Sequence, residues 1–326
     1  MKPRSEARIT IVRRREQDGL PLTDPRLRRE IEAGTVARLV PGSFARAGQW
    51  RALAPLDRHH LRVVETVDRA RGSQVIAFHA AAAVWGIDRI AAWPDRVDVI
   101  VPRRTGGRSS GTIRRWTTAA TDIQAVPWRG HKITTPAQTV LDLARTSRFT
   151  DAVVALDQAL WARRPGGALT TSDELWTLLE ASQPRRGDVR ARAALAFASP
   201  LADSVRESES RSLISQLGFP VPTLQHPFRL SRGRVVRTDF WFAEFEHAGE
   251  FDGVGKYLDP ALLDGRTPEQ ALVEEKDRGD ELRRVVRRLS RWRVPHLAAP
   301  RRLYDVLTAD GLPSSKPRPP HGLLLR

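Results

Sequence analysis

The apolar positions change period several times along the chain, and those changes divide it. Residues 1–50 predict a small winged helix-turn-helix. Arg4–Gln17 predicts a short basic helix closed by Asp18-Gly19. Thr23 or Asp24 then caps a second helix, Pro25–Ala33, which Gly34 stops. Thr35–Val40 alternates with the period of a strand, Pro41-Gly42 turns the chain, and Ser43–Ala45 returns as the other half of a hairpin. A helix followed by a hairpin wing is a DNA-reading shape, with Arg26, Arg28 and Arg29 on the helix and Arg38 on the wing as candidate phosphate contacts.

Residues 51–184 predict a mixed α/β middle domain. Helices are expected over Asp57–Arg71, Ala77–Trp85, Ala137–Ala144, Asp151–Trp161 and Asp173–Ala181. Strands are expected over Val97–Val101, Thr112–Trp116 and Asp122–Val126. His59 and His60 read as a surface pair and His79 as a core-edge residue, since no second ligand sits at metal spacing. The basic, glycine-containing stretch Arg185–Arg192 reads as a linker.

Residues 200–312 predict the last domain. An amphipathic helix at Asp203–Leu217 precedes strands at Leu224–Leu230, Val235–Phe242 and Gly249–Asp252. The capping box Thr267-Pro-Glu-Gln270 opens a long helix reaching about Trp292, and Val294–Leu297 reads as a final strand. The proline-rich tail, residues 313–326, reads as disordered. The fold class this predicts is α/β, or α+β overall.

Composition narrows the chemistry. The chain has 326 residues and no cysteine, which excludes a disulfide scaffold, a thiolate nucleophile and a zinc site built on sulfur. The longest apolar run, Ala77–Ile87, is 11 residues and carries His79, short of the ~20 that span a bilayer. The start, Met1 to Glu6, lacks the apolar core of a signal peptide, so a soluble, cytoplasmic protein with no membrane partner is expected. A net charge of +16 and a pI near 11.3 point to a polyanion partner, nucleic acid first.

Against that background, residues 235–281 hold 13 Asp and Glu and five Lys and Arg, a local charge of −8. A divalent cation is one reason to concentrate carboxylates; a solvated acidic helix face is the other. Asp239 shares a strand face with Val235, Arg237 and Trp241. Glu250 follows 11 residues later on the neighbouring strand, so the two carboxylates would come within reach of one Mg²⁺ or Mn²⁺. Such an ion lowers the pKa of a bound water and neutralises charge on a phosphate in flight. The apolar stripe of the long helix, projected backwards, passes through Leu272, Glu275 and Arg278, which predicts a polar site against the sheet, with Lys276 on its flank.

Glu207-Ser, Thr238-Asp239-Phe240, Glu250-Phe-Asp252-Gly253, Lys256-Tyr257 and Glu275-Lys276 together resemble the PD-(D/E)XK nuclease fold, closest to the branch similar to very-short-patch repair endonucleases. The N-terminal part resembles the winged-helix domain of AbiEi-type antitoxins. The first resemblance implies Asp239 and Glu250 as metal ligands and Glu207 as an auxiliary acid that orients water. The Lys of the usual Glu-x-Lys is Asp252 here, so Asp252 becomes a third ligand, and Lys276, or less favourably Lys256, supplies the displaced amine. Together they imply a DNA-binding protein with a Mg²⁺-dependent endonuclease-like domain, in bacterial defence or a toxin–antitoxin system. The alternatives are a non-enzymatic antitoxin-type repressor with a degenerate nuclease fold, which would have a cognate toxin as a partner, and an RNA-binding factor.

Overall fold

The computed structural model describes residues 3–4, 6–7, 9–13, 24–102, 109, 111–118, 122–230, 233–253 and 267–322. The fold is mixed α/β, α+β overall, and the chain forms two compact units: Met1–Ser147 with Gly166–Phe197, and Arg148–Pro165 with Ala198–Arg326. The expected boundaries near residues 50 and 184 are therefore replaced by one division that the chain crosses three times.

In the first unit, β1 (Ile11–Arg13), α1 (Asp24–Glu32), β2 (Val36–Val40) and β3 (Ser43–Arg46) build a three-stranded sheet of order β1-β3-β2 with one helix. The helix–hairpin prediction matches, but the basic helix does not. Ile9 and Ile11 alternate onto the cluster of Leu39, Ala45, Trp50 and Leu61, so this segment follows the period of a strand; Arg14–Gln17 lie outside the described residues. Helices α2 (Ala47–Ala52) and α3 (Pro55–Val67) follow directly. Glu65 of α3 fastens the small sheet to them. Its buried carboxylate accepts from Arg13 Nη2 (2.7 Å), Arg69 Nη2 (2.9 Å) and Ser43 Oγ (2.5 Å). Burial alone would raise its pKa; the Arg13 and Ser43 hydrogen bonds outweigh that, and the value is lowered.

A five-stranded mixed sheet, order β6-β5-β4-β8-β7, forms the rest of the unit, with β4 (Val75–Ile76), β5 (Val97–Pro102), β6 (Ile113–Thr118), β7 (Ala125–Trp128) and β8 (His131–Thr134). Helices α4 (Phe78–Trp85) and α5 (Pro136–Thr146) precede α6 (Phe149–Leu160), which belongs to the second unit, and α7 (Ser172–Ala181) and α8 (Asp188–Phe197) return to the first. The expected linker is thus the start of α8. The Asp188 carboxylate accepts from Arg145 Nε and Arg185 N, both at 2.7 Å, and Ala191, Ala194 and Leu195 are buried. Arginine composition disguised a helix whose small apolar face is narrow.

His59 and His60 are buried, not a surface pair, because both turn inward on α3; His59 stacks on Trp93 at 4.8 Å.

The second unit is a four-stranded sheet of order β12-β11-β10-β9. Strands β9 (Thr223–Arg229), β10 (Val235–Phe242) and β11 (His247–Phe251) run antiparallel, and β12 (Arg288–Trp292) runs parallel to β11. Helix α9 (Val205–Gln216) precedes the sheet and α10 (Pro268–Leu282) lies between β11 and β12 in sequence. Leu213, Ile214 and Leu217 of α9 pack with Phe240, Phe242 and Trp292 on one face; Leu282 and Val286 pack with Ala248 and Trp241 on the other. The capping box at Thr267 is present, but the long helix stops at Leu282. Apolar spacing of three and four through Leu289 and Trp292 fits a helix, yet β11 needed a partner on its second side, and these residues pair with it. Val294–Leu297 is a short helix, α11, not a strand, and α12 (Pro300–Ala309) follows. The tail is tied down as far as it is described: Ser315 N donates to Gly218 O at 2.9 Å and Lys316 Nζ to Gln216 O at 2.9 Å.

Helix α9 is buried from Glu207 to Ile214, because α6 covers the side away from the sheet. Arg211 Nη2 bonds both oxygens of the buried Asp157 on α6, at 2.9 and 2.8 Å. A fragment of residues 200–312 lacks α6, so it loses the Arg211–Asp157 pair and exposes the face of α9 that α6 covers. We expect it to be insoluble or unfolded by circular dichroism, whereas residues 148–326 give a cooperative transition.

Burial lowers the pKa of His59 to about 3 and of His60 to about 4, from 6.5. Both stay neutral when folded, while the unfolded chain takes up protons below about pH 6.5. Stability is therefore complete above that pH and is lost as pH falls toward 4, by up to about 1.4 kcal/mol per pH unit for each histidine. Urea midpoints between pH 7 and about 5 read this out, above the range where carboxylates titrate. His60→Gln should flatten the slope.

Candidate functional site

The acidic residues singled out above meet the sheet of the second unit where β10 and β11 part. Phe240 and Phe242 face α9, so Asp239 and Trp241 alternate to the other face. One step beyond the Phe240–Gly249 pair, the register sets Asp239 across from Glu250. The backbone ladder ends there. Phe251 N donates to Asp239 Oδ2 at 2.8 Å, and Asp252 N donates to Trp292 O at 2.8 Å. Asp239 thus bridges the gap as β11 turns from β10 to β12.

Glu250 is 6% exposed and held by two arginines. Arg278 Nη1 on α10 donates to Oε1 at 2.8 Å; Arg291 on β12 donates to Oε2 through Nε at 3.0 Å and Nη2 at 2.9 Å. Gly279 makes room for this: a Cβ there would lie 2.8 Å from Arg291 Nη2. Glycine inside a helix costs about 1 kcal/mol relative to alanine, and the close approach of Arg291 accounts for its place here. Asp252 accepts from Arg293 Nε at 2.8 Å and Nη2 at 2.6 Å.

The other residues expected at the site are placed elsewhere. Glu207 completes the cap of α9: Oε1 accepts from Ser204 Oγ at 2.9 Å, and Oε2 from Asp203 N at 2.9 Å and Gln225 Nε2 at 3.1 Å. Its carboxylate is occupied in fixing the helix start to β9. Lys276 is exposed, two residues before Arg278 and so about 200° around the helix from it. The helix face that meets Glu250 presents arginine. Every described side chain of α10 from Glu269 to Asp277 is exposed, which is the solvated acidic face. Lys256 lies outside the described residues.

As arranged, these groups do not fit Mg²⁺ or Mn²⁺. A hard cation needs carboxylate oxygens turned to it, and the oxygens of Glu250 and one of Asp252 are already turned to guanidiniums. Among the described residues no group of three or more His, Asp or Glu is placed to hold a metal. A serine, histidine and aspartate also meet, but in an order unsuited to nucleophilic catalysis. Ser290 Oγ donates to Asp310 Oδ2 at 2.5 Å and accepts from His247 Nε2 at 2.7 Å, with Ser290 and His247 buried. The contact ties β11 and β12 to the end of α12.

In the first unit, Arg28 and Arg29 on α1 and Arg38 on β2 are exposed; the side chain of Arg26 lies outside the described residues. An open groove of about 1000 Å³ beside α1 has Arg29 and Arg46 on its walls. One polar centre there escaped the sequence reading. Buried Asp98 accepts from Arg114 Nε (2.5 Å) and Nη2 (2.9 Å), Trp116 Nε1 (3.0 Å) and the ring of His79 (3.2 Å). Burial would raise its pKa, and the bonds from His79, Arg114 and Trp116 outweigh that to give about 2. Partners 16–19 residues away carry no local signal.

No protein-family model matches the chain. Two curated relatives are similar to part of it: the uncharacterized proteins MT2308 and Rv2248 of Mycobacterium tuberculosis, each 33% identical over 134 residues, or 41% of this chain and 48% of the relative. The chain therefore spans about half the length of the curated relatives it matches.

The arginine contacts set the sign of a charge change at Glu250. A cluster of mutually repelling acids would gain stability from losing a charge. Glu250→Gln instead strands Arg278 and Arg291, and should lower stability by roughly 1–3 kcal/mol, less than a fully buried pair because both guanidiniums keep some water. Urea unfolding in EDTA measures it; a raised midpoint would restore the repulsive picture.

Proposed function

We propose that this is a duplex-DNA-binding protein of the antitoxin type, in which a nuclease-like sheet does not cut. The observation that carries the second half is the engagement of Glu250 and Asp252 by Arg278, Arg291 and Arg293. Acids neutralised in this way do not gather a cation or activate a water. The first half is supported by a net charge of +16 and by exposed Arg28, Arg29 and Arg38 on a helix and hairpin. Guanidiniums on such a surface neutralise phosphates and release counterions, which gives affinity without sequence information. Sequence choice would come from the side chains that α1 carries into a groove. A cognate toxin, contacting the protein away from DNA, belongs to the same reading.

A second reading, Mg²⁺-dependent cleavage, is favoured by one observation: Asp239 and Glu250 stand opposite each other where two strands part. It requires Arg278 and Arg291 to leave Glu250 when DNA and metal arrive. Incubation with supercoiled plasmid in EDTA, Mg²⁺ and Mn²⁺ separates the two. Binding in EDTA with intact plasmid in all three supports the first; nicking that needs metal and is lost in Asp239→Ala replaces it with the second. In the binding assay, log affinity should fall linearly with log salt. Changing Arg26, Arg28 and Arg29 to Ala should flatten the slope by about 0.9 for each phosphate no longer neutralised.

A further inference from the structure

The second unit has another set of arginines, unlike those that hold Glu250. Leu230 and Val236, at the turn end of the β9–β10 hairpin, pack with Leu282 and Val286, which flank the turn after α10. That apolar cluster brings together two segments about fifty residues apart in sequence. The same two segments carry Arg229, Arg234 and Arg237 in the hairpin and Arg284 and Arg287 in the turn, all exposed. Among the described residues, none of the five pairs with a carboxylate.

The turn is held in place. Arg287 N and Arg288 N both donate to Glu246 O, at 2.9 and 3.3 Å, and Val285 N donates to Leu282 O at 3.0 Å. Local structure explains only part of the charge. The C-terminal end of α10 favours a cation within its last turn, which suits Arg284 but not the three hairpin arginines. Charge on an edge strand discourages pairing between chains, which suits Arg229 on β9 but not Arg237 on β10, an inner strand. Val235 and Val285, in the same two segments, are 56% and 46% exposed. The patch is cationic; among the described residues its aromatic neighbours, Phe228 and Trp241, are half-buried and offer no open ring on which an unpaired base would stack.

We infer that this end of the second unit, where the hairpin turn and the turn after α10 meet, contacts the phosphates of duplex DNA, in addition to the contacts made by α1 and its hairpin. The inference rests on the reading of the protein as DNA-binding. Arginine suits the task because its planar fork meets two phosphate oxygens at once. Two basic surfaces on one chain raise the effective concentration of each for the same duplex.

The test uses the full-length protein and a fluorescein-labelled duplex, with affinity followed over a salt series. Changing Arg229, Arg234, Arg284 and Arg287 to Gln should leave melting unchanged, since all four are exposed. It should flatten the salt slope by about 0.9 per phosphate released, with about two to four phosphates expected. The flattening should add to that of the Arg26, Arg28 and Arg29 variant. A milder variant, Arg284→Glu with Arg287→Glu, serves if the quadruple change disturbs folding, and should weaken binding at low salt. A wild-type slope in these variants, alongside a flattened one in the α1 variant, overturns the inference and leaves the proposed function standing. Tighter binding of the wild type to the single strand than to the duplex also overturns it. Failure of the wild type to bind duplex at all removes both.

Discussion

Arginine paired with a buried carboxylate is the interaction on which both units depend. Glu65, Asp98, Asp142, Asp157, Glu209 and Glu250 are all buried, and each bonds at least one arginine. Removing a carboxylate from water costs several kcal/mol, and only good geometry offsets it. The balance differs from site to site. At Glu65 and Asp98, several donors converge and the pKa is lowered; at Asp142 and Asp157, burial prevails over arginine and it is raised. Most of these pairs join elements far apart in sequence: β1 to α3, β5 to β6, α6 to α9, α10 to β11. They fix which elements are neighbours, a specificity that apolar packing alone gives less sharply.

The acidic site is one more instance of this pattern, with the geometry of an opening between strands. Two glycines make it possible. At Gly249 a Cβ would lie 2.7 Å from the Trp292 ring, and Gly279 leaves the space that Arg291 fills. Trp292 is in turn anchored by its Nε1 bond to Ser210 on α9, 2.8 Å long. The strand that carries Glu250 is therefore clamped between the helix on one face and arginines on the other. A side chain so fixed is suited to holding guanidiniums, and less suited to exchanging ligands during a reaction.

How much of this could be read in the sequence follows from the range of each interaction. Capping boxes, glycine stops and alternating strands act over a few residues, and Thr267, Gly86 and Val235–Phe242 were legible for that reason. Helix or strand could not be decided by periodicity alone for Leu282–Trp292, where apolar spacing fits a helix and only the vacant side of β11 selects a strand. The acidic positions were legible as a cluster. Arg278 was marked by its place on the apolar stripe of α10, though not as the partner of Glu250, 28 residues away; Arg291, 41 residues away in a chain full of arginine, carries no local mark. An excess of carboxylate reads as a metal site until its counter-charges are seen.

That excess also shapes the basic surfaces. Residues 235–281 carry −8 within a chain of +16, so the remainder carries +24. If a cation held the acids, the nearby arginines would be repelled from them and would add to the surface charge. With Arg278, Arg291 and Arg293 paired to Glu250 and Asp252, charge is balanced at the opening of the sheet, and unpaired arginines are found in the hairpin and the turn that follows α10. The same carboxylates that resemble a catalytic centre thus determine which arginines remain for a polyanion.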